Sequence, residues 1–208
     1  MARYIGSACK QCRAEREKLF LKGERCISPK CALDRKRGKN APGQHGAKKG
    51  KMSDYARHLR EKQKARRVFG LTEQQFKRYF VVAEKMSGLT SDTLLKLLEM
   101  RLDNVVYKLG LSFSRKNARQ MVMHGLIYVN GKKIDVPRYQ VKKDDVITVK
   151  ASYKENVNLK KLMENSVAVP SWLIFNKDNI EGKVVNEPLK EDFSHPINGQ
   201  LIVEFYSK

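Results

Sequence analysis

The 208-residue chain has no apolar run approaching the ~18 residues a membrane helix needs, and its opening MARYIGSACKQC lacks the apolar centre of a secretory leader. Neither a membrane span nor secretion is expected; a cytosolic protein is. Cysteine is absent after residue 31. Negative charge is scarce: 22 Asp and Glu stand against 43 Lys and Arg, a formal net charge of +21. So one-sided a surface repels itself, and its complement is a polyanion, because each Lys or Arg set against a phosphate releases condensed counterions. A Gly-rich phosphate loop, a nucleophile elbow and a His-Glu metal motif are missing, which removes the usual sequence grounds for catalysis. Hydrophobic residues make up 41% of the chain, enough for one or two modest cores and too many for a disordered or collagen-like polymer.

The positive charge is uneven. Residues 1–67 hold 21 basic and 6 acidic side chains, a net +15, and residues 68–98 add +1. Residues 99–150 carry +6 and residues 151–208 carry −1. Two regions therefore face nucleic acid, joined by near-neutral segments that pack. The near-neutral tail is expected to meet the chain's own helices or another protein.

All four cysteines fall early, as Cys9-x2-Cys12 and Cys26-x4-Cys31. In a cytosolic chain this spacing points to one structural zinc ion rather than to disulfides. A two-residue gap turns both thiolates of a knuckle toward one ion, and the longer loop returns the second pair. Lys10, Arg13, Arg25 and Lys30 flank the ligands, favouring thiolates and offsetting the charge of a tetrathiolate. Four protein ligands leave no position for water, so the ion would supply folding free energy rather than chemistry. An iron–sulfur cluster, whose usual spacings are absent, and a redox switch at Cys9 and Cys12 are the alternatives. His45 is a competing ligand.

Residues 34–51, DRKRGKNAPGQHGAKKGK, are broken by Gly38, Pro42, Gly43, Gly46 and Gly50 and read as a cationic loop. Arg35, Arg37, His45, Lys48, Lys49 and Lys51 are its candidate RNA contacts. Ser53 or Asp54 caps a helix that stops at Gly70. Arg57, Arg60, Lys64 and Arg67 recur in it at three- and four-residue intervals, with Arg66 beside them and only Asp54 and Glu61 to relieve the charge. That face is expected to track an RNA backbone while Tyr55, Leu59, Val68 and Phe69 pack. From Thr72 a second helix sets Phe76, Tyr79, Phe80 and Ala83 on one stripe, a core pattern rather than a base-stacking platform.

From residue 91 the pattern is that of a compact module. Ser91 or Asp92 opens a helix whose Leu94, Leu95, Leu98, Leu102, Val105, Val106 and Leu109 form one wide apolar face, closed by Gly110. Ser114 caps a second helix, SRKNARQMVMHG. Arg115 and Lys116 in its first turn, with Arg119 one turn later, are expected to address a phosphate together with the free N–H groups of the helix start. LIYV-NG-KKI reads as a hairpin turning at Asn130-Gly131, decorated by Lys132 and Lys133, and VITV at 146–149 as another strand. Two helices and a small sheet shape a basic surface suited to RNA grooves and junctions.

The strings RLDNVVYKLG, from Arg101, and SRKNARQMVMHGLIYVNG, ending at Gly131, closely resemble the RNA-binding module of the S-four family, named after ribosomal protein four of the small subunit. PGQHG at 42–46, SDYARHLREKQKARR at 53–67, PSWL at 170–173 and the ending LIVEFYSK resemble the bacterial ribosomal members along the whole chain, and the cysteine quartet resembles their zinc-carrying form. The resemblance implies an α+β fold. Residues 46–98 and 160–208 would form a mostly helical discontinuous domain, and residues 99–159 an inserted module of two helices and a small β-sheet in the alpha-L arrangement. Residues 1–45 would be a basic arm with a zinc knuckle.

The function implied is that of a structural constituent of the small ribosomal subunit, which binds 16S ribosomal RNA and nucleates assembly of the body. Arg115, Lys116, Arg119, Gln120 and His124 match the family's RNA motif on the second helix of the module, with Arg101 and Lys132 as further candidate contacts. Lys48, Lys49 and Lys51 match by charge a cluster near the messenger RNA entry channel. Lysine where the family can carry arginine keeps phosphate attraction but loses the guanidinium fork. The C-terminal segment resembles the part that borders ribosomal protein five, an interface linked to decoding accuracy. No membrane and no small-molecule substrate is implied.

Arg101-Leu102-Asp103 superficially offers the catalytic aspartate of pseudouridine synthases that carry this module. Here it lies inside the module's own first helix, and too few residues follow for a second catalytic domain. Asp103 is expected to pair with a nearby cation. A non-enzymatic protein is expected, with a free RNA chaperone or an RNA-modifying enzyme as the alternative.

Overall fold

The computed structural model describes residues 3–35, 38, 40–47, 50–164, 168–193 and 196–207. Its helices are α1 (Ala8–Glu15), α2 (Asp54–Val68), α3 (Glu73–Lys85), α4 (Thr90–Glu99), α5 (Leu102–Lys108), α6 (Arg115–Met123), α7 (Ala151–Lys154), α8 (Val157–Glu164) and α9 (Gly199–Tyr206). The strands are β1 (Ile127–Val129), β2 (Lys132–Lys133), β3 (Val146–Val149), β4 (Leu173–Asn176) and β5 (Glu181–Val184). The chain divides into two compact units, Met1–Leu94 with His195–Lys208, and Leu95–Ser194.

In the first unit local signals set the helix ends. Ser53 Oγ accepts the Ala56 N–H at 3.2 Å at the start of α2. Thr72 and Gln75 form a reciprocal capping box on α3. Phe76, Phe80 and Ala83 are buried as their spacing requires. What covers them is α9: the Tyr206 ring lies 4.5 Å from Phe80 and 6.4 Å from Phe76. α9 also packs on α2, with Phe205 5.6 Å from Tyr55. Gly199 permits a close approach, since a Cβ there would stand 2.9 Å from that of Ser91.

The second unit is an antiparallel sheet, in the order β2-β1-β3-β5-β4 among the described residues, with α5 and α6 packed against it. Leu102, Val105 and Val106 from α5, Leu109 at its C-cap, and Ala118, Met121 and Val122 from α6 share one core with Ile127, Val129, Ile147, Val149, Trp172, Leu173 and Val184. The hairpin turns as its sequence predicts, with positive φ at both Asn130 (50°) and Gly131 (76°). Asn130 also ties the turn to β3: its Oδ1 accepts the Val146 N–H at 2.9 Å and its Nδ2 donates to Asp145 at 2.8 Å.

Two expectations are corrected here. The apolar face from Leu94 to Leu109 is not one helix. Arg101 is extended (φ −70°, ψ 138°) and bridges to Gln140, while the Leu102 N–H donates to the Tyr139 carbonyl at 2.9 Å. Burial continues on both sides of the break, so hydrophobic periodicity gives no sign of it. The second concerns the boundaries. Residues 160–194 do not rejoin the helical unit; they belong with the module, whose sheet they extend. β5 pairs with β3, Ile147 opposite Gly182, and satisfies backbone groups that β3 would otherwise present as an open edge. Gly182 is required there, because a Cβ would stand 2.4 Å from Leu109 Cδ1. Only the segment carrying α9 returns to the first unit.

Candidate nucleic-acid interface

The basic face of α2 is not a bare phosphate track. Lys62 reaches Glu73 at 2.6 Å with its ammonium 4.4 Å from the Phe205 ring centroid. Lys64 is buried, donating to the Pro196 carbonyl at 2.7 Å and pairing with Glu17 at 2.8 Å. Arg67 and Arg60 both pair with Glu15, Arg60 at 3.7 Å, and Arg66 stands 3.8 Å from Glu73. The relief absent within α2 comes from α1 and α3, with His58 taking Glu204 of α9 at 3.0 Å. These cations hold the unit together. Arg57 is the exposed exception, and its 3.5 Å pair with Asp54, open to water, contributes little. Arg35, His45 and Lys51 are exposed. Arg37, Lys48 and Lys49 lie outside the described residues.

On the module the predicted contacts separate into two sets. Arg101 and Arg119 are 2% and 5% exposed, and neither lies on the surface. Arg101 forks onto Asp103 at 2.6 and 3.0 Å, and Arg119 reaches the same carboxylate at 3.5 Å. The pairing expected of Asp103 is therefore present. A carboxylate so enclosed has no route to a substrate base. Arg115, half-buried, donates from Nε to Asn104 Oδ1 at 2.8 Å and lies over the Tyr107 ring at 4.6 Å. Burial pulls Arg115 and Lys108 below their usual ranges, while the Glu99 carboxylate pulls the other way. The anion site expected at the start of α6 is thus partly filled from within: Arg115 is turned to Asn104, and Ser114 Oγ takes the Asn117 N–H at 3.3 Å.

The second set forms a surface. Lys116, half-buried, and Gln120 and His124, exposed, recur every fourth residue and so make one stripe along α6. At its C-terminal end Gly125 (φ +67°) leaves room for a lysine chain, and the side chain of Lys133 crosses there, its Cε 2.1 Å from where a Cβ would be. Lys132 and Lys133 are both exposed on β2. Only Lys132 is a candidate contact in the sequence, though Lys133 is as exposed. A glycine ending the helix just before a basic hairpin is the signal that points to it. Glu99, Asn104 and Tyr107, which help to orient the arginines beneath, carry no comparable mark in the sequence.

The cysteines depart from the predicted knuckle in one respect. Cys9 and Cys12 lie on α1, three residues apart and so on one face. Cys26 ends a 3-10 turn over Gly23–Cys26, its Sγ accepting the Lys22 N–H at 3.4 Å, and Cys26 and Cys31 are buried. Burial pushes the Cys12 thiol up, a hydrogen bond with the Leu19 backbone opposes this, and Cys26, Cys9 and Cys31 each raise it further. As a donor set the four thiols have the chemistry of a tetrathiolate site. No group of three or more His, Cys, Asp or Glu side chains among the described residues has the arrangement of a bound metal ion.

No helix among the described residues is long and apolar enough to cross a membrane. Residues 3–99 match the family described as ribosomal protein S4/S9 N-terminal domain, and residues 100–147 match the S4 domain. The chain is 67% identical to the small ribosomal subunit protein uS4 of Endomicrobium trichonymphae over the full length of both. It is 56% identical to that of Clostridium botulinum (strain Eklund 17B / Type B) and 50% identical to that of Halothermothrix orenii, again with both chains wholly covered. The two matched segments meet at residues 99 and 100, where α4 ends and Arg101 turns the chain into the module. By descent along its whole length, the chain belongs to the uS4 family of small ribosomal subunit proteins.

Proposed function

We propose that this protein is a structural constituent of the small ribosomal subunit and binds its ribosomal RNA through the α6 stripe and the β1–β2 hairpin. The observation that carries this reading is the division of the module's polar side chains, with Gln120, His124, Lys132 and Lys133 exposed, Lys116 half-buried beside them, and Arg101 and Arg119 locked below on Asp103. Such a surface reads phosphate position and shape, as a folded RNA junction demands. It is a scaffold and not an enzyme. Binding 16S RNA early would let it nucleate the body of the subunit. The exposed Arg35, His45, Lys51 and Arg57 support a second grip, and Lys51, with Lys48 and Lys49, a place beside the messenger RNA entry channel. The segment after residue 150, close to neutral, suits a protein neighbour, ribosomal protein five, through which decoding accuracy would be affected. The protein should bind 16S RNA in a filter assay and stay with small subunits sedimented in high salt. Its complete loss from particles that keep other early binders would refute the scaffold reading.

Cys9, Cys12, Cys26 and Cys31 would hold one structural zinc ion, which would tie α1 to the turn after it. The four-thiol donor set, with Cys9 and Cys12 on one face of α1, supports this. Purified protein should contain about one zinc per chain. Cys9→Ser with Cys12→Ser should lose it and loosen the arm in amide exchange while the module stays protected. Metal-free protein with full RNA affinity and an ordered arm would count against zinc.

A further inference from the structure

The side chain of Asn104 is committed at both ends. Its Nδ2 donates to the Glu99 carbonyl at 2.8 Å and to Glu99 Oε2 at 2.6 Å, so its Oδ1 faces only one way, where it accepts from Arg115 Nε at 2.8 Å. Glu99 in turn has Lys108 Nζ 3.8 Å away. Arg115 is the first residue of α6 and its guanidinium lies over the Tyr107 ring, 4.6 Å from the centroid. A guanidinium held at its edge and on its face has little freedom, and a helix gripped at its first residue is fixed in both position and rotation. Asn104 is itself 2% exposed and beyond the reach of any RNA.

We propose that Asn104 is a positioning residue for RNA recognition: by gripping Arg115 it sets where the stripe of Lys116, Gln120 and His124 stands. The inference rests on the RNA-binding reading above. A neutral amide suits this place because it donates to a carboxylate and accepts from a guanidinium at once. An aspartate would set two carboxylates against each other, and a leucine would pack but orient nothing.

The test uses the full chain and a 16S RNA filter assay, with thermal melting recorded alongside. Asn104→Ala should weaken binding by about tenfold or more, the scale of a lost hydrogen bond to a charged group. In an Arg115→Ala background the same change should add little, because both remove one grip. A role confined to general core stability would instead multiply the two losses, which would overturn the proposal. Asn104→Asp should also weaken binding, and adding Glu99→Gln, which restores a donor on the side-chain contact and the original charge but not the bond to the Glu99 carbonyl, should recover part of the loss. Arg115→Lys keeps the charge but offers no fork to Asn104, and should bind like Asn104→Ala. Should Asn104→Ala not fold, that variant and the rescue pair decide the matter. Wild-type affinity in Asn104→Ala or Arg115→Lys, or no rescue, overturns the positioning role alone. A wild-type chain that fails to bind the RNA overturns the reading beneath it as well.

Discussion

Lys64, Arg67, Arg101 and Arg119 look in the sequence like cations that bind RNA. Instead, Lys64, Arg67 and Arg119 each meet a carboxylate from another segment, Glu17, Glu15 and Asp103, while Arg101 meets Asp103 two residues further on. Sequence spacing shows which residues share a helix face, but not which acid will be brought to that face from fifty residues away. Glu73 makes the consequence measurable. Burial alone would raise its pKa, but hydrogen bonds from Lys62 and Tyr206 and the charges of Lys62 and Arg66 outweigh burial and hold it below the ordinary carboxylate range. An acid depressed in the folded state contributes stability that is complete above its unfolded value and is lost as pH falls through the folded one. The first unit should therefore lose stability as pH drops below about 4, and Glu73→Gln should flatten that limb in urea titrations taken across the range. Glu15 acts in the opposite sense. Burial lifts its pKa against the pull of Arg67 and Arg60, so its ionisation opposes folding as pH rises through the raised value. The difference between wild type and Glu73→Gln isolates the first effect. An unchanged acid limb in the variant would show that Glu73 is not its source.

At the scale of elements, what is written locally is readable. The Ser53 and Ser114 caps, the Thr72–Gln75 box and the Asn130-Gly131 turn each depend on residues within a few positions, and all lie where the sequence places them. β4 and β5 are not readable, because LIFN and EGKV are short and carry no firm alternation; they become strands only by pairing with each other and, through β5, with β3. The α4–α5 break is hidden for the same reason, since its extended residue is held by Gln140 and Tyr139 from beyond the hairpin. α6 separates the two kinds of residue most sharply. Arg119→Ala should cost about 1–3 kcal/mol of stability by removing one partner of a buried carboxylate that keeps Arg101. Gln120→Ala, at an exposed position, should leave stability within about 0.5 kcal/mol, and both it and Lys116→Ala should weaken RNA binding. Only the lysine change should also shallow the salt dependence, by roughly 0.7–0.9 in slope for each phosphate no longer neutralised. Equal effects of Arg119 and Lys116 on salt slope would place Arg119 at the surface with the RNA, contrary to its burial.

At the scale of the molecule, the two basic regions that charge alone separates do fall in different compact units, but the border between them is not where charge or motif puts it. The module's recognisable signature ends near residue 149, while the folded unit continues to Ser194. Trp172, Leu173 and Val184 are buried in its core, each worth roughly 1.5–3 kcal/mol on burial. Together they approach the whole net stability of a small domain, commonly about 5–15 kcal/mol. β5 also closes the edge of β3, whose exposed backbone would otherwise invite pairing between chains. A fragment of residues 95–194 should therefore melt cooperatively as a monomer and retain salt-dependent RNA binding. A fragment of residues 99–159, which keeps every signature residue of the module, should be largely unfolded or associate through its open strand. Circular dichroism melts and sedimentation of the two fragments make the comparison directly. If the shorter one melted as cooperatively as the longer, the added strands would be an ornament on a module already complete at β3, and the unit's extent would have been readable from its motif after all.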